Sequence, residues 1–341
     1  MFQVVFAVSL LVFSLFLPVF SNTNNVKALE YSKAECVIEQ SSKRILYANS
    51  ADKQLPIAST TKILTAITVL DREKNLDREI EIPKSAEGVE GSSVYLKAGE
   101  KRSIKTLLYG LMLRSGNDCA TALALEYGEN IADFCRLMSV SAQKAGAFNS
   151  QFVNPHGLHD NRHYSTAKDL CYITAYAMKN NNFREIVKTY VYDETGWVNK
   201  NKLIREYPYC IGGKTGYTKK AGKCLVSVAQ KPNDEEMTLI CCVLDCPTTY
   251  ARTKTLFDDA YERYKMVKIL EKDTPIQTPY GIGRVTEDFS YPLLQEEIDL
   301  INFNFILAKK PFSTKNKGEI VAQIEISLAN QLIFSQNLYK L

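Results

Sequence analysis

The chain has 341 residues, 45% of them apolar and 23% charged, with a net charge of +4. These values suit a folded protein with room for one large domain and a small one, and exclude disordered, fibrous and low-complexity classes. The basic excess is spread along the chain without a stripe of cations and aromatics, which excludes a nucleic-acid partner and suits an anionic wall or lipid surface.

Val4 to Phe20 is an almost unbroken apolar run. Polar Ser21–Asn25 follows, and then Val26-Lys27-Ala28, with small or apolar residues where a signal peptidase reads. This predicts a signal peptide over residues 1–28 and an exported protein, because the run falls short of the roughly 20 residues of a membrane span. No Lys or Arg precedes the run, so an uncleaved membrane anchor is the alternative. Nine cysteines in mostly apolar surroundings predict buried thiols. Their odd number and unpaired spacing fit neither a disulfide framework nor a zinc site, and no metal or cofactor is expected.

A hairpin is predicted from Ala34–Glu39 and Arg44–Ala48 around a polar turn. Helical spacing then runs from Pro56 to about Leu70, with Ile63, Ile67 and Leu70 on one stripe. Further helices are predicted from Ser103 to about Arg114, just after Asn117, over Ile131–Ala145 and over Thr166–Lys179. Strands follow at Gly213–Thr218, Gly222–Ala229 and Met237–Leu244, and a helix from Tyr250 to about Tyr264. Grouped helices between strands predict an α+β fold over residues 29–268, and alternating short strands predict a small all-β domain over 269–341.

Three short motifs occur in order: Ser59-Thr60-Thr61-Lys62 opening the first helix, Ser115-Gly116-Asn117 between two helices, and Lys214-Thr215-Gly216 on the first late strand. A serine needs a base to become a nucleophile, and a lysine three residues later on a helix stands over it. That lysine is a base only if burial and a second cation, such as Lys214, lower its pKa. A helix start also offers unpaired N–H groups to a developing oxyanion. Ser115 can relay a proton, Asn117 can hold a substrate amide, and Gly216 lets a ligand backbone lie close along the strand. Taken singly, each motif is a helix cap, a turn or a strand end; the ordered set is specific.

In that set, and in Leu55–Lys62, Leu108–Asp118, Asn154–Leu158, His163–Leu170 and Gly213–Thr218, the sequence resembles the low-molecular-mass penicillin-binding proteins, the D-alanyl-D-alanine carboxypeptidase family. The resemblance covers residues 30–268 well and the tail in outline. It implies a β-lactamase/transpeptidase-like catalytic domain, an antiparallel sheet with a helical cluster, followed by a small β-domain. It implies that Ser59 is acylated by the penultimate D-alanine of a peptidoglycan stem peptide and releases the terminal D-alanine, with Lys62 as general base. Ser115 and Asn117 would assist, Lys214, Thr215 and Gly216 would line the substrate site, and the N–H groups of Ser59 and Tyr217 would form the oxyanion hole. Arg252 falls where the family has an arginine near the substrate carboxylate; a solvated helix-start arginine is the alternative. Penicillins would acylate Ser59.

Three other activities compete. A β-lactamase needs a carboxylate for its deacylating water, and Glu126, four residues before Asn130, lies inside the helix after the second motif, where it cannot serve. A D,D-endopeptidase would use the same residues. A non-catalytic wall-binding homologue conflicts with the intact Ser59–Lys62 pair. His156, His159 and His163 cluster in one loop without a triad motif and are expected to be structural. No amphipathic helix precedes Leu341, so the expectation is a released, leader-anchored or wall-bound protein.

Overall fold

The computed structural model describes residues 32–232, 234–278, 281–307 and 316–341; the expected signal peptide lies outside them. Strand β1 (Ala34–Glu39) is buried at every position, so it shows no alternation. It turns into β2 (Ile45–Asn49) through residues 41–43, where the Glu39 carboxylate accepts the N–H groups of Ser41 and Ser42. A 3-10 turn over Ala58–Thr61 leads into helix α1 (Lys62–Leu70), which is buried all round. The short hairpin β3 (Glu79–Glu81) and β4 (Lys101–Ser103) precedes α2 (Ile104–Tyr109).

The helix expected to run to about Arg114 changes character at Gly110. Residues Gly110–Arg114 form a π-turn that ends on Ser115 in the left-handed region, at φ +64°. Helices α3 (Asn117–Tyr127), α4 (Ile131–Ala145) and α5 (Ala167–Ala177) match the apolar spacing; Asn130 and Thr166 cap the last two. Helix α6 (Asn181–Lys188), strands β5 (Val191–Tyr192) and β6 (Trp197–Val198), and the one-turn α7 (Leu203–Glu206) were not foreseen. The two-residue strands and the one-turn α7 are too short to carry a period, whereas α6 has its apolar Phe183, Ile186 and Val187 at i, i+3, i+4 behind the Asn180 cap, a signal that was there to be read.

Strands β7 (Cys210–Thr218), β8 (Gly222–Lys231) and β9 (Asp234–Leu244) complete an antiparallel sheet of order β2-β1-β9-β8-β7, which leaves β7 as an open edge. Its two faces differ. Val226, Val228, Ile240 and Cys242 face the helical cluster of α1 to α6, whereas Leu225, Leu239, Cys241 and Val243 pack on α8 (Thr249–Arg263). The α+β class is as expected, and so is the thiol chemistry: all nine cysteines are free and eight are buried.

After α8 come β10 (Lys265–Leu270), β11 (Pro275–Thr278), β12 (Gly281–Arg284), β13 (Phe289–Leu293), β14 (Ile301–Leu307), β15 (Ile320–Leu328) and β16 (Gln331–Lys340). They form a β10-β13 pair and a sheet of order β11-β12-β16-β15-β14, with a small core of Val285, Val321, Ile324, Ile326 and Leu338. Among the described residues no helix is long and apolar enough to cross a membrane.

Candidate active site

Ser59 sits in the 3-10 turn, one residue after Ala58, whose φ is +48°. Two glycines make that turn possible. Gly157 (φ +88°) packs so closely that a Cβ there would stand 1.9 Å from the Ala58 carbonyl oxygen. Gly216 on β7 lies against the turn from the other side, where a Cβ would meet Ser59 N, Ile57 O and Thr60 N at 3.0–3.1 Å. Gly216 thus makes room for the protein's own turn at Ser59, beside any part in holding a ligand backbone.

Lys62 is fully buried and points back at Ser59. Its Nζ is 3.1 Å from Ser59 Oγ, 2.6 Å from Asn117 Oδ1 and 2.7 Å from the His156 carbonyl. Burial, and then the nearby Lys214, hold its pKa well below the ordinary lysine value. Asn117 is held within the protein: its Nδ2 donates to Glu90 O at 2.6 Å, its backbone N–H to Ser92 O at 2.7 Å, and its Oδ1 accepts from Lys62, which leaves one N–H of its amide without a partner among the described residues. Lys214 is also buried and donates to Thr215 O at 2.9 Å; burial, helped by Lys200, brings its pKa down to about 7.

The open face of this network is a cleft of about 350 Å³ whose walls include Ser59, Ser92, Ser115, Lys200, Thr215, Gly216, Tyr217, Lys223 and Tyr250. Ser115 is held there by the left-handed end of the π-turn. The structure therefore brings eight of the nine expected site residues to one place. The ninth, Arg252, does not line the cleft: its guanidinium grips buried Glu35 at 2.7 and 2.8 Å and Tyr47 Oη at 3.0 Å. A buried carboxylate without a partner is costly, and this pairing uses the guanidinium.

Sequence reasoning missed two residues. Asp118 is fully buried, accepts from Ser93 Oγ and the N–H groups of Val94 and Leu96, and so pins the 92–96 segment that borders the cleft. Its place beside Asn117 was a usable signal. Lys200 belongs to no motif, and only the fold brings it to the cleft, with its Nζ 3.3 Å from Ser92 Oγ. Of the three histidines, His163 holds the loop to the Ser59 turn. His163 Nδ1 accepts from Val153 N, which leaves Nε2–H to donate to Thr61 Oγ1 at 2.8 Å, and burial lowers its pKa to about 4.

A model of the family described as D-alanyl-D-alanine carboxypeptidase matches residues 22–248, two thirds of the chain. The chain belongs to the D-alanyl-D-alanine carboxypeptidase family. The carboxypeptidase DacA of Haemophilus influenzae is 28% identical over 327 residues, 89% of this chain and 82% of that one. DacF of Bacillus subtilis is 28% identical over 256 residues, and the match spans 72% of this chain but 66% of that relative. Relatives named D-alanyl-D-alanine endopeptidases match as well. Among solved structures, penicillin-binding protein 5 of Haemophilus influenzae superposes with a TM-score of 0.76 at 25% identity, covering 90% of this chain and 96% of that one. The likeness to that carboxypeptidase-family structure reaches into the tail, which sequence reading matched in outline only.

Proposed function

We propose that this protein is a serine D-alanyl-D-alanine carboxypeptidase acting through an acyl-enzyme on Ser59, and that penicillins acylate the same oxygen. The observation that carries this is the surroundings of Lys62 Nζ. Two fixed acceptors, Asn117 Oδ1 and the His156 carbonyl, take two of its N–H bonds and aim its third direction at Ser59 Oγ. In the ammonium form that direction holds a proton; in the neutral amine, favoured by burial, it holds the lone pair that a base needs.

Neutral Lys62 then takes the Ser59 proton as Oγ bonds to the carbonyl carbon of the penultimate D-alanine. The oxyanion is met by the N–H groups of Ser59 and Tyr217, on the two sides of the Gly216 contact. Collapse breaks the C–N bond, and the leaving amine takes a proton through Ser115. Water, activated by Lys62, then hydrolyses the ester. Lys214 keeps a positive charge behind the strand below about pH 7. With Arg252 paired to Glu35, we assign the substrate's terminal carboxylate to Lys200 and the Thr215 hydroxyl, both in the cleft wall. Asn117 positions Lys62 and the cleft wall.

Cleavage of cross-links by the same residues is the second reading, favoured by the relatives named endopeptidases. We also propose that the protein works outside the cytoplasm after its apolar leader exports it. Residues 29–268 would carry the chemistry and 269–341 a separate module, a division supported by a hydrophobic cluster drawn only from residues 269–338. The test is incubation with a fluorescent penicillin and with a D-alanyl-D-alanine pentapeptide, beside Ser59→Ala. We expect covalent labelling and D-alanine release by the wild type alone. Neither from the wild type would end the serine-enzyme reading, and cross-linked muropeptides as substrate separate carboxypeptidase from endopeptidase.

A further inference from the structure

Beyond Tyr217 the edge strand β7 runs into a hairpin turn that carries Lys219, Lys220 and, on the first residues of β8, Lys223. All three side chains are exposed. Lys219 and Lys220 make no ion pair or side-chain hydrogen bond among the described residues, and Lys223 donates only to the Pro247 carbonyl. The acid packed under this turn, Asp245, is taken by Lys33 at 2.5 Å. Among the described residues no Asp or Glu lines the cleft, whose wall includes both Lys200 and Lys223, the latter paired with Tyr217 across the hairpin. The edge of β7 thus passes from the nucleophile into an uncompensated cluster of three cations.

We propose that this hairpin is an anion-reading subsite that selects stem peptides bearing a free carboxylate on the residue just upstream of the D-alanyl-D-alanine end. This rests on the carboxypeptidase reading above. With the terminal carboxylate at Lys200 and Thr215 and the scissile carbonyl at Tyr217 N–H, the upstream chain extends along β7 past Thr218. Strand spacing of about 3.3 Å per residue puts the next residue level with Thr218, from where a carboxylate at the end of its side chain reaches toward Lys219 and Lys223. A carboxylate there is attracted by three cations, a carboxamide gains nothing, and an ammonium is repelled, so selectivity has both a favourable and an unfavourable arm. The main effect of such exposed charges is on capture of the substrate, and it fades with salt.

The test compares kcat/KM for acetyl-X-D-Ala-D-Ala with X as L-glutamate, L-glutamine or L-lysine. At about 20 mM salt the glutamate peptide is expected to lead the glutamine peptide by about fivefold, with the lysine peptide slowest; the spread should shrink toward unity near 0.5 M salt. The double variant Lys219→Glu/Lys220→Glu should invert the order and make the lysine peptide the fastest, a gain that misfolding cannot produce. Equal values for the glutamate and glutamine peptides in the wild type, or an unchanged order in the double variant, would overturn the subsite while leaving D-alanine release intact. Absence of release from all three peptides would overturn the carboxypeptidase reading and the subsite with it.

Discussion

Two buried lysines of the same type stand behind one serine, and their surroundings push their protonation apart. Lys62 is held well below the ordinary lysine value by burial and by the charge of Lys214, and Lys214 falls to about 7, so acylation is expected to need Lys62 neutral with Lys214 still charged. Penicillin acylation should therefore rise with pH as Lys62 loses its proton and fall again as pH passes about 7. Lys214→Arg, which cannot lose its charge in this range, should remove the falling limb; a limb that stays would show that Lys214 does not set it. Lys62→Arg should lower the acylation rate by about 10² to 10⁴ at every pH, measured by stopped-flow labelling. The linkage sign runs against the fold. Between about pH 7 and the ordinary lysine value the unfolded chain binds more protons than the native one, so Lys214 costs stability that is regained as pH rises through that window. At Arg252 the outcome should be the reverse of a site residue's. Arg252→Leu leaves the Glu35 carboxylate buried without its partner, and should lower stability by about 2 kcal/mol, a discounted figure because the arginine is about a third exposed. D-Alanine release by the folded fraction should be kept, and a large loss of kcat with unchanged melting would return Arg252 to the cleft.

Ser59, the proposed nucleophile, belongs to an element that is barely an element, a four-residue 3-10 turn wedged between the loop at Gly157 and the edge strand at Gly216. Its strained residue, Ala58, persists because His163 holds Thr61, whose hydroxyl in turn donates to the Ala58 carbonyl at 2.8 Å. Gly157→Ala would drive a methyl into that carbonyl, and its positive φ adds backbone strain. We expect it to cost more in acylation than in stability, with labelling down at least tenfold while circular dichroism shows native secondary structure. Labelling at the wild-type rate would mean that the turn is set by other contacts. The π-turn at Gly110–Arg114 acts in the same way on Ser115, since the extra residue in the last turn delivers it to the cleft in the left-handed conformation.

Across the molecule, the catalytic sheet and the C-terminal strands meet at Arg44. It leaves the β1–β2 turn and lies between the rings of Tyr264 and Tyr291, at 5.3 and 5.2 Å, while bonding Glu297 and the Pro292 carbonyl. This is a half-buried cation satisfied by both partners, on the face of the sheet away from Ser59. Arg44→Ala should cost about 2–3 kcal/mol, from the lost charge-assisted bonds and cation–π contacts. Hydrogen exchange should quicken in β13 and residues 295–300, and penicillin labelling should be unchanged at temperatures where the protein stays folded. Protection unchanged in that region would mean that the hydrophobic contacts at Met266 and Leu294 hold the junction alone.

The ordered motifs, the helix stripes and the succession of elements along the chain were legible in the sequence because each is local, whereas the pairing of β1 with β9 joins strands far apart in the chain. Ser59 and Lys62 are three residues apart on one turn, and apolar periodicity marks any element long enough to repeat. The same locality explains the misses. Gly216 read as a feature of a strand, yet it is required by a turn more than 150 residues away in the chain. Asn117 read as a hand for substrate, and the fold adds that the same amide also holds Lys62 and the Glu90 carbonyl. Arg252 matched its motif position, but Glu35, 217 residues earlier, holds it. What the sequence determined by itself was which groups could do the chemistry. Only the tertiary structure decided which of them are free to do it, because a side chain's last hydrogen bond, its burial and the charge beside it come from residues brought together by the fold.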